Sequence, residues 1–402
     1  MTARTRTVAV VGAGLAGLAC ARVLAKHDVD VVVFDKGRSP GGRLTTRRVA
    51  MHAFDLGAQY FTSRSEIFAS EVQRWRAAGV CAPWTGAIVA LEAAGAATKP
   101  TPPMERLVGT PGMSAVGRHL AESLDVRTSH RVDAIAGREG RLELRGTVAK
   151  ASVTLGPMVD PQGGQRADDP LGHDPLGAYD AVVVCLPASQ AAPLLQASAP
   201  ALADRARAVT FDPCVAVGFA AGPRDRDVLE KLPFDGAFIG RQQDGGSTPD
   251  GGEAVSSLGW VARDSSKPGR PPGQRWVLHA TAAWSRAAFK LPESQVTEEL
   301  LGELSRLFGL NKLAPEVSLV RRWALARAPS PLSCNALFDE EARIGLGGDW
   351  AARGRVEGAF LSGLALADRV LGIPGTGNAG TGNAGTGRHE ADGVLGERAP
   401  RP

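Results

Sequence analysis

The residues best placed to do chemistry lie near the start of the chain. Gly12, Ala13, Gly14, Leu15, Ala16 and Gly17 form a G-x-G-x-x-G run. The first glycine of such a run permits a tight turn. The second lets backbone approach a pyrophosphate, and the third lets a helix pack closely on a strand. Free N–H groups and the positive end of the helix dipole then face the phosphates. An acid about 20 residues further on suits a ribose hydroxyl, and Asp35 stands there. Together these residues specify a dinucleotide without saying which one.

Two further groups turn the reading from NAD towards FAD. Lys36 to Arg43 reads KGRSPGGR, in which Gly41, Gly42 and Arg43 can bring backbone and a guanidinium to the same pyrophosphate. Far downstream, Gly347-Gly348-Asp349-Trp350 precedes Val356-Glu357-Gly358-Ala359. Asp349 can accept from ribityl hydroxyls. A helix N-terminus near Val356 can face the flavin N1/C2=O edge, which gains negative charge on reduction. Either group alone could be an ordinary turn or cap; both, in this order on one chain, favour the flavin.

The elements that must hold these groups can be read from periodicity. Thr7–Val11 and Asp30–Asp35 are β-branched runs that read as buried strands, with a helix over 15–26 between them. That βαβ unit requires a parallel sheet. Helices are expected over 63–79, 111–124, 293–308 and 356–371, and strands over 180–186, 214–221, 255–262, 275–283 and 342–348. Residues 126–150 read as a hairpin broken at Gly137 and Gly140. Residues 156–178, rich in Gly, Pro and Asp, read as a mobile loop insertion. The fold class expected is α/β: a Rossmann-like FAD-binding domain with a second, α+β substrate domain on a mixed sheet. The FAD-binding part takes residues 1–80, 111–207 and 336–373, and the substrate part takes 81–110 and 208–335. From residue 374 to 402 the repeats of GTGNA cannot bury a core and read as a disordered tail.

Composition narrows the function. The chain has 402 residues, 44% hydrophobic and 22% charged, which excludes wholesale disorder and coiled coil. A net charge of +4 gives no case for nucleic acid as a partner. Five scattered cysteines exclude a disulfide scaffold and show no CxxC metal knuckle, so no metal is expected and a reducing cytoplasm is. The stretch from Met1 to Ala25, with arginines, an apolar run and Cys20, imitates a signal peptide. Its apolar run is too short and glycine-rich for a membrane span, so a soluble protein without a membrane partner is expected.

The same motifs resemble the flavin-containing amine oxidase superfamily, and most closely its renalase-like branch. The residues that carry the resemblance are VVGAGLAGLACARVL at 10–24, FDKGRSPGGRLTTRR at 34–48, FDLGAQYFTSR at 54–64, PGMSAVGRHLA at 111–121, YDAVVVCLP at 179–187, WVLHATAAWS at 276–285, RRWALARA at 321–328 and GLGGDWAARGRVEGAFLSGLALADRVL at 345–371. The resemblance implies that Gly12, Gly14 and Gly17 cradle the pyrophosphate and that Asp35, beside Lys36, holds the adenosine ribose. It puts Gly42 and Arg43 on pyrophosphate and ribityl groups, and Gly57, Ala58 and Gln59 along the isoalloxazine. It has Val132 meet the adenine through its backbone. Gly348, Asp349, Val356, Glu357 and Ala359 close over ribityl and pyrimidine. Cys334 is a poor match to the cysteine of covalent flavin enzymes, so non-covalent FAD is expected. Many amine oxidases hold a water near flavin N5 with a lysine, and none of the 8 lysines is assignable to that place from sequence.

A flavin accepts hydride itself, so the protein's task is to stack the substrate and exclude water. Tyr60, His279, Trp284 and Trp323 are the candidate pocket residues, although an aromatic on a strand or a lone His is more often core. The resemblance implies oxidation of 2- and 6-dihydro isomers of NAD(P), with O2 as acceptor and hydrogen peroxide as product. The alternatives are oxidation of a small amine, which an assignable lysine and an aromatic cage would favour, and a flavin protein serving a partner.

Overall fold

A computed structural model of the chain describes residues 5–91, 99–100, 104–149, 174–240 and 256–372. The low-complexity tail and most of the 156–178 segment lie outside the described residues. Strand β1 (Thr7–Val11) pairs in parallel with β2 (Asp30–Asp35), and helix α1 (Leu15–Ala25) joins them. β1 is also parallel to Ala181–Val184, which pairs in parallel with Ile344–Gly347. Asp125–Thr128 and Ala336–Asp339 complete this six-stranded sheet at its two edges. Its central strands are continuous valine-rich runs, as burial on both faces requires. α1 and the C-terminal helix (Val356–Gly372) pack on one face. The other face meets the helices Ala188–Leu195 and Pro200–Arg207 and a three-stranded sheet.

The second large sheet is mixed and seven-stranded. Its central strands are Asp212–Ala221, Arg275–Ala280 and Leu258–Arg263, each antiparallel to its neighbour, and Gly236–Ile239 pairs in parallel with Ile88–Leu91. Pro315–Arg327 runs antiparallel to Asp212–Ala221 at the edge. One face carries Val215, Val217, Phe219, Trp276 and Leu278 and is covered by the amphipathic helix Glu293–Phe308. The other carries Ala216, Ala220 and Val277, against which Phe54 and Leu56 pack from a hairpin of Thr46–Val49 and His52–Asp55. That second face is the one turned to the glycine motifs.

The α/β reading and the pair of sheets are as the sequence suggests. Three assignments differ. The hairpin after Val126 is His130–Arg138 with Arg141–Val148, and Asp125–Thr128 has left it for the six-stranded sheet. Residues 174–178 are not loop: Asp174–Tyr179 forms a third strand beside Arg141–Val148, burying Leu176 and Tyr179 despite its Pro and Gly. The 13-residue strand Pro315–Arg327 has no period-2 alternation in its sequence because two arginines and a tryptophan interrupt it. No helix among the described residues is long and apolar enough to cross a membrane.

The close packing of α1 on the C-terminal helix depends on Gly363, where a Cβ would lie 2.3 Å from the Ala16 carbonyl oxygen. Gly302, inside Glu293–Phe308, has nothing within 4 Å of that position. Gly363→Ala is therefore expected to lower the melting temperature by several degrees. Gly302→Ala is expected to raise it, by about 0.5–1 kcal/mol of added stability. Calorimetric melting of the two variants checks both signs.

Candidate functional site

The loop after β1 is shaped by two glycines that the fold itself needs. Gly12 has φ +110°, and a Cβ there would meet the Cys185 carbonyl oxygen at 2.7 Å. A Cβ at Gly17 would lie 2.0 Å from the Gly12 carbonyl oxygen. Gly14 is different. Its φ of −75° is open to any residue, and a Cβ there would meet nothing within 4 Å. Among the described residues nothing requires glycine at that place, and the bare backbone there is open to approach from outside. The N–H groups of Leu15, Ala16 and Gly17 open α1 beside it and have no acceptor within the helix.

Gly41 and Gly42 return to this loop. The Gly41 N–H donates to the Ala13 carbonyl at 2.8 Å, and a Cβ at Gly42 would lie 3.3 Å from Gly14 Cα. Asp35 braces the loop, accepting from the Ala13 N–H at 2.7 Å and the Gly37 N–H at 2.6 Å. Both oxygens thus have one backbone donor, leaving lone pairs for a ribose. Lys36 donates to Gln190 on the exposed side. Val132 is buried where the hairpin register shifts around Asp133.

The early and late motifs meet at Arg43. Its guanidinium donates to Asp349 at 2.5 Å and to the Ala326 carbonyl at 2.9 Å. The Ala58 N–H donates to the Arg43 carbonyl at 3.0 Å, and the Gly57 Cβ position falls 2.0 Å from the same oxygen. Gly348 stands next to Asp349, with φ +149°. Behind it, the C-terminal helix starts at Val356. Glu357 is buried and its carboxylate accepts from the Ser65 N–H at 2.7 Å and hydroxyl at 2.6 Å, pinning the N-terminus of Glu66–Ala77 to this point. Val356 and Ala359 are partly buried on the same turn. One continuous line therefore runs from Gly14 past Gly42, Arg43 and Asp349 to the helix N-terminus. Cys334 is exposed, its N–H donating to the Ala351 carbonyl.

Gln59 connects this line to the seven-stranded sheet. Its Oε1 accepts from the Trp260 indole at 3.4 Å and from Lys267 Nζ at 3.3 Å, both donors only. That fixes the amide: Nε2 faces His279 Nε2 at 3.3 Å and donates to it. His279 Nε2 is then an acceptor, and the imidazole is neutral with its proton on Nδ1. Burial, and secondarily the Lys267 cation, push its pKa down to about 4.

Lys267 belongs to a buried cluster that sequence reasoning missed. Its side chain is fully buried, 2.7 Å from Asp264 and 3.5 Å from Asp55. Arg270 pairs with Asp55 and donates to the Gly109 carbonyl at 2.6 Å. Burial works to raise the Asp55 pKa. Lys267, Arg270 and hydrogen bonds from Thr46 and Met113 overcome it, and the carboxyl is held below its ordinary range. Burial raises that of Asp264. Lys267 sits in a short 3₁₀ turn and loop with no periodic signal. The sole cue in the sequence is a lysine among glycines and prolines between two strands.

The candidate pocket residues divide. Tyr60 packs at 5.7 Å from the Trp260 ring and 6.4 Å from Trp84, beside Gln59. His279 and Trp323 share the face of the sheet turned to the motifs, and Trp323 donates to the Leu56 carbonyl at 2.8 Å. Trp284 is a correction. It lies on the short helix Ala282–Ala288 and packs into the core on the opposite face, because the chain turns over that side after Ala280.

Two outcomes follow from the cluster. An unfolded His protonates near pH 6.5 and His279 only near 4, so the unfolded state binds the extra proton between those values. Stability is expected to fall as pH drops from about 6.5 to 4, by on the order of 3 kcal/mol. His279→Gln is expected to remove that slope in melting temperature against pH. Lys267→Met leaves the buried Asp264 carboxyl without its bonded cation and is expected to cost about 3–5 kcal/mol in denaturant unfolding.

Comparison with known proteins agrees with this geometry. Residues 10–71 match an NAD(P)-binding Rossmann-like domain, and residues 104–371 match the family described as flavin containing amine oxidoreductase. The small chain of NADPH glutamate synthase from Escherichia coli (strain K12) is 48% identical over 63 residues, 16% of this chain and 13% of that protein. Hydroxyneurosporene desaturase from Rubrivivax gelatinosus is 43% identical over 70 residues, 17% of this chain and 13% of that one. These matches thus span only about an eighth of their relatives. Over the whole fold, a putative protoporphyrinogen oxidase from Exiguobacterium sp. 255-15 superposes with a TM-score of 0.66 at 12% identity, covering 92% of this chain and 99% of that one. Wild-type putrescine oxidase bound to putrescine gives 0.62 at 13% identity, covering 92% and 99%. With its Rossmann-like glycine loop, its mixed second sheet and a family match over 104–371, the chain belongs to the flavin containing amine oxidoreductases and is an FAD-dependent oxidoreductase.

Proposed function

We propose that this chain holds FAD non-covalently along the line from Gly14 to Val356 and oxidises its substrate on the adjoining face of the seven-stranded sheet. The observation that carries the reading is Gly14, at the start of α1, whose Cβ position stands in open space while the Cβ position of Gly42 lies 3.3 Å from its Cα. In this reading the Gly12–Gly17 loop and the α1 N-terminus take the pyrophosphate, with Asp35 on the adenosine ribose and Lys36 beside it. The Val132 backbone meets the adenine. Gly42, Arg43, Gly348 and Asp349 hold the ribityl chain. Gly57, Ala58 and Gln59 lie along the ring system, whose N1/C2=O edge the helix start at Val356, Glu357 and Ala359 would face. The six-stranded sheet and the three-stranded sheet beside it serve as the FAD-binding part, and the seven-stranded sheet as the substrate part.

FAD, when bound, supplies a two-electron acceptor for hydride. The rest falls to side chains of this chain. Gln59, fixed by Trp260 and Lys267, orients a neutral His279, which can bind a polar substrate edge without adding charge. Tyr60, Trp260 and Trp84 offer aromatic faces that stack a flat substrate and exclude water. Lys267 and Arg270 are matched by Asp55 and Asp264, so the cluster contributes rigidity and no net negative charge to draw an ammonium.

The substrate reading that suits this pocket best is a 2- or 6-dihydro isomer of NAD(P), oxidised to NAD(P)+ while O2 and a proton give H2O2. A small amine is the second reading, and the buried Lys267 beside an aromatic group is the feature that favours it. A redox partner protein has less support: the exposed large apolar side chains among the described residues are Met51, Ile67 and Met104, from three different segments.

Anaerobic stopped-flow reduction separates these. Fast bleaching near 450 nm by the isomers, and not by NAD(P)H or amines, is the expected result; bleaching by an amine alone would replace it with the second reading. Gly14→Val is expected to fold with an unchanged circular dichroism spectrum and to purify colourless. A yellow variant with full FAD content would falsify the loop assignment.

A further inference from the structure

Around Tyr60 the protein grades from buried to open. Gln59 and Trp260 are buried, Tyr60 is half-buried, and Arg64, Arg353 and Arg355 are exposed. The three arginines come from two stretches that the fold ties together. Arg64 follows the Tyr60 loop, and its N–H donates to the Glu357 carboxylate at 3.3 Å. Arg353 and Arg355 lie in the turn between Asp349 and the C-terminal helix. There the Gly354 N–H donates to the Asp349 carbonyl at 2.8 Å and the Ala359 N–H to the Arg355 carbonyl at 2.9 Å. A Cβ at Gly358 would lie 2.9 Å from the Arg353 nitrogen, so that glycine lets the turn fold back on the helix. The backbone that carries the three side chains is thus fixed at both stretches.

The side chains themselves are not engaged. None of the three guanidinium groups makes a hydrogen bond or ion pair among the described residues. Unpaired surface arginines occur elsewhere on the chain; these differ in acting on one another beside a pocket residue. Partial burial first, then the Arg64 charge and more weakly Arg353, lower the Arg355 pKa, while Glu357 and Tyr60 act against them. Three positive charges therefore stand against one carboxylate. The Oε1 of that carboxylate is already taken by the Arg64 and Ser65 N–H groups and the Ser65 hydroxyl. Glu66, the nearest acid to Arg64 in sequence, pairs with none of them. A fourth guanidinium, that of Arg106, lies 5.5 Å over the Tyr60 ring.

We propose that Arg355, flanked by Arg64 and Arg353, forms an anion-binding rim at the mouth of the pocket, taking a phosphate or carboxylate that the substrate carries beyond the ring stacked on Tyr60. The countercharge that the fold leaves out arrives with the substrate. A guanidinium offers parallel N–H donors to the paired oxygens of either group. The same net charge repels a small diamine, so the rim separates the two substrate readings. This deepens the proposed function, since it rests on Tyr60 lining the pocket.

The test uses the flavin-loaded protein and titration calorimetry with two matched pairs of ligands, each a flat ring with a short arm. Nicotinamide mononucleotide and nicotinamide riboside differ by the phosphate. 4-Phenylbutyrate and 4-phenylbutanamide differ by the carboxylate charge. The charged member of at least one pair is expected to bind about tenfold or more tightly, and the pair that shows it identifies the anion. Arg355→Gln is expected to erase the preference and Arg355→Lys to keep part of it. Arg64→Gln combined with Arg353→Gln is expected to weaken the charged ligand about threefold or more and leave the neutral one unchanged; this variant decides if Arg355→Gln loses its flavin. Arg205→Gln removes the same charge from an exposed position on Pro200–Arg207, against the other face of the six-stranded sheet, and is expected to change neither affinity. None of these exposed, unbonded side chains is expected to lower the melting temperature when replaced. Equal affinity within both pairs, no binding by either charged ligand at millimolar concentration, or an equal loss in Arg205→Gln would overturn the rim. An intact preference in Arg355→Gln would overturn it too, and a lowered flavin midpoint potential in that variant would then assign the arginine to the flavin. A colourless wild-type protein would instead overturn the flavin assignment, a separate failure.

Discussion

A carboxylate with no access to water organises the centre of this molecule. Asp55 ends the hairpin strand, and its oxygens receive the Thr46 hydroxyl, the Met113 N–H and the Arg270 guanidinium, with Lys267 at 3.5 Å. Those partners come from three separate stretches of chain. Burying a charge is expensive, and breaking such a set leaves an uncompensated ion in the interior. The constraint therefore runs both ways: Asp55 keeps the loop after Leu258–Arg263 against the hairpin, and that loop keeps Asp55 ionised. Gln59 follows four residues later and inherits the arrangement, its amide nitrogen donating to the Asp55 carbonyl.

From that point the electrostatics of the site can be followed outward. The central cluster is balanced, and Gln59 passes on orientation without charge. His279 stays neutral because burial and Lys267 both act against its protonation. Tyr60 and Trp260 pack against each other beside Gln59, their ring centroids 5.7 Å apart.

The part of this arrangement legible in the sequence is the part written in local pattern. The βαβ unit, the glycine loop and the helices 293–308 and 356–372 each carry their own periodicity or turn chemistry, and the structure places them within a few residues of the expected bounds. The Arg43–Asp349 contact was implicit in two motifs, though nothing in either says that they touch. Trp284 was misplaced because a one-strand alternation does not reveal which way the chain turns after Ala280. Lys267 was invisible for a related reason. Its meaning lies in what it is buried with: Asp55, distant in sequence, and Asp264, near in sequence but in a stretch without periodic signal. The strand Asp174–Tyr179 was hidden because its neighbours on Arg141–Val148 supply burial that its Pro and Gly do not announce.

The order of strands in the six-stranded sheet has a consequence for the chain during its own synthesis. β1 is flanked by β2 on one side and by Ala181–Val184 on the other, and Ile344–Gly347 comes next. α1 rests on a helix that is not complete until residue 372. A nascent chain emerging from the ribosome therefore exposes its first valine-rich strands through most of translation. Residues 344–372 are the last to close over them. The glycine loop exists early, but Asp349 and the Val356 helix start, which stand beside it, arrive only with these final residues. The arrangement of Gly14, Arg43 and Asp349 is thus completed late, and until then the unpaired strands are open to chaperones and to aggregation.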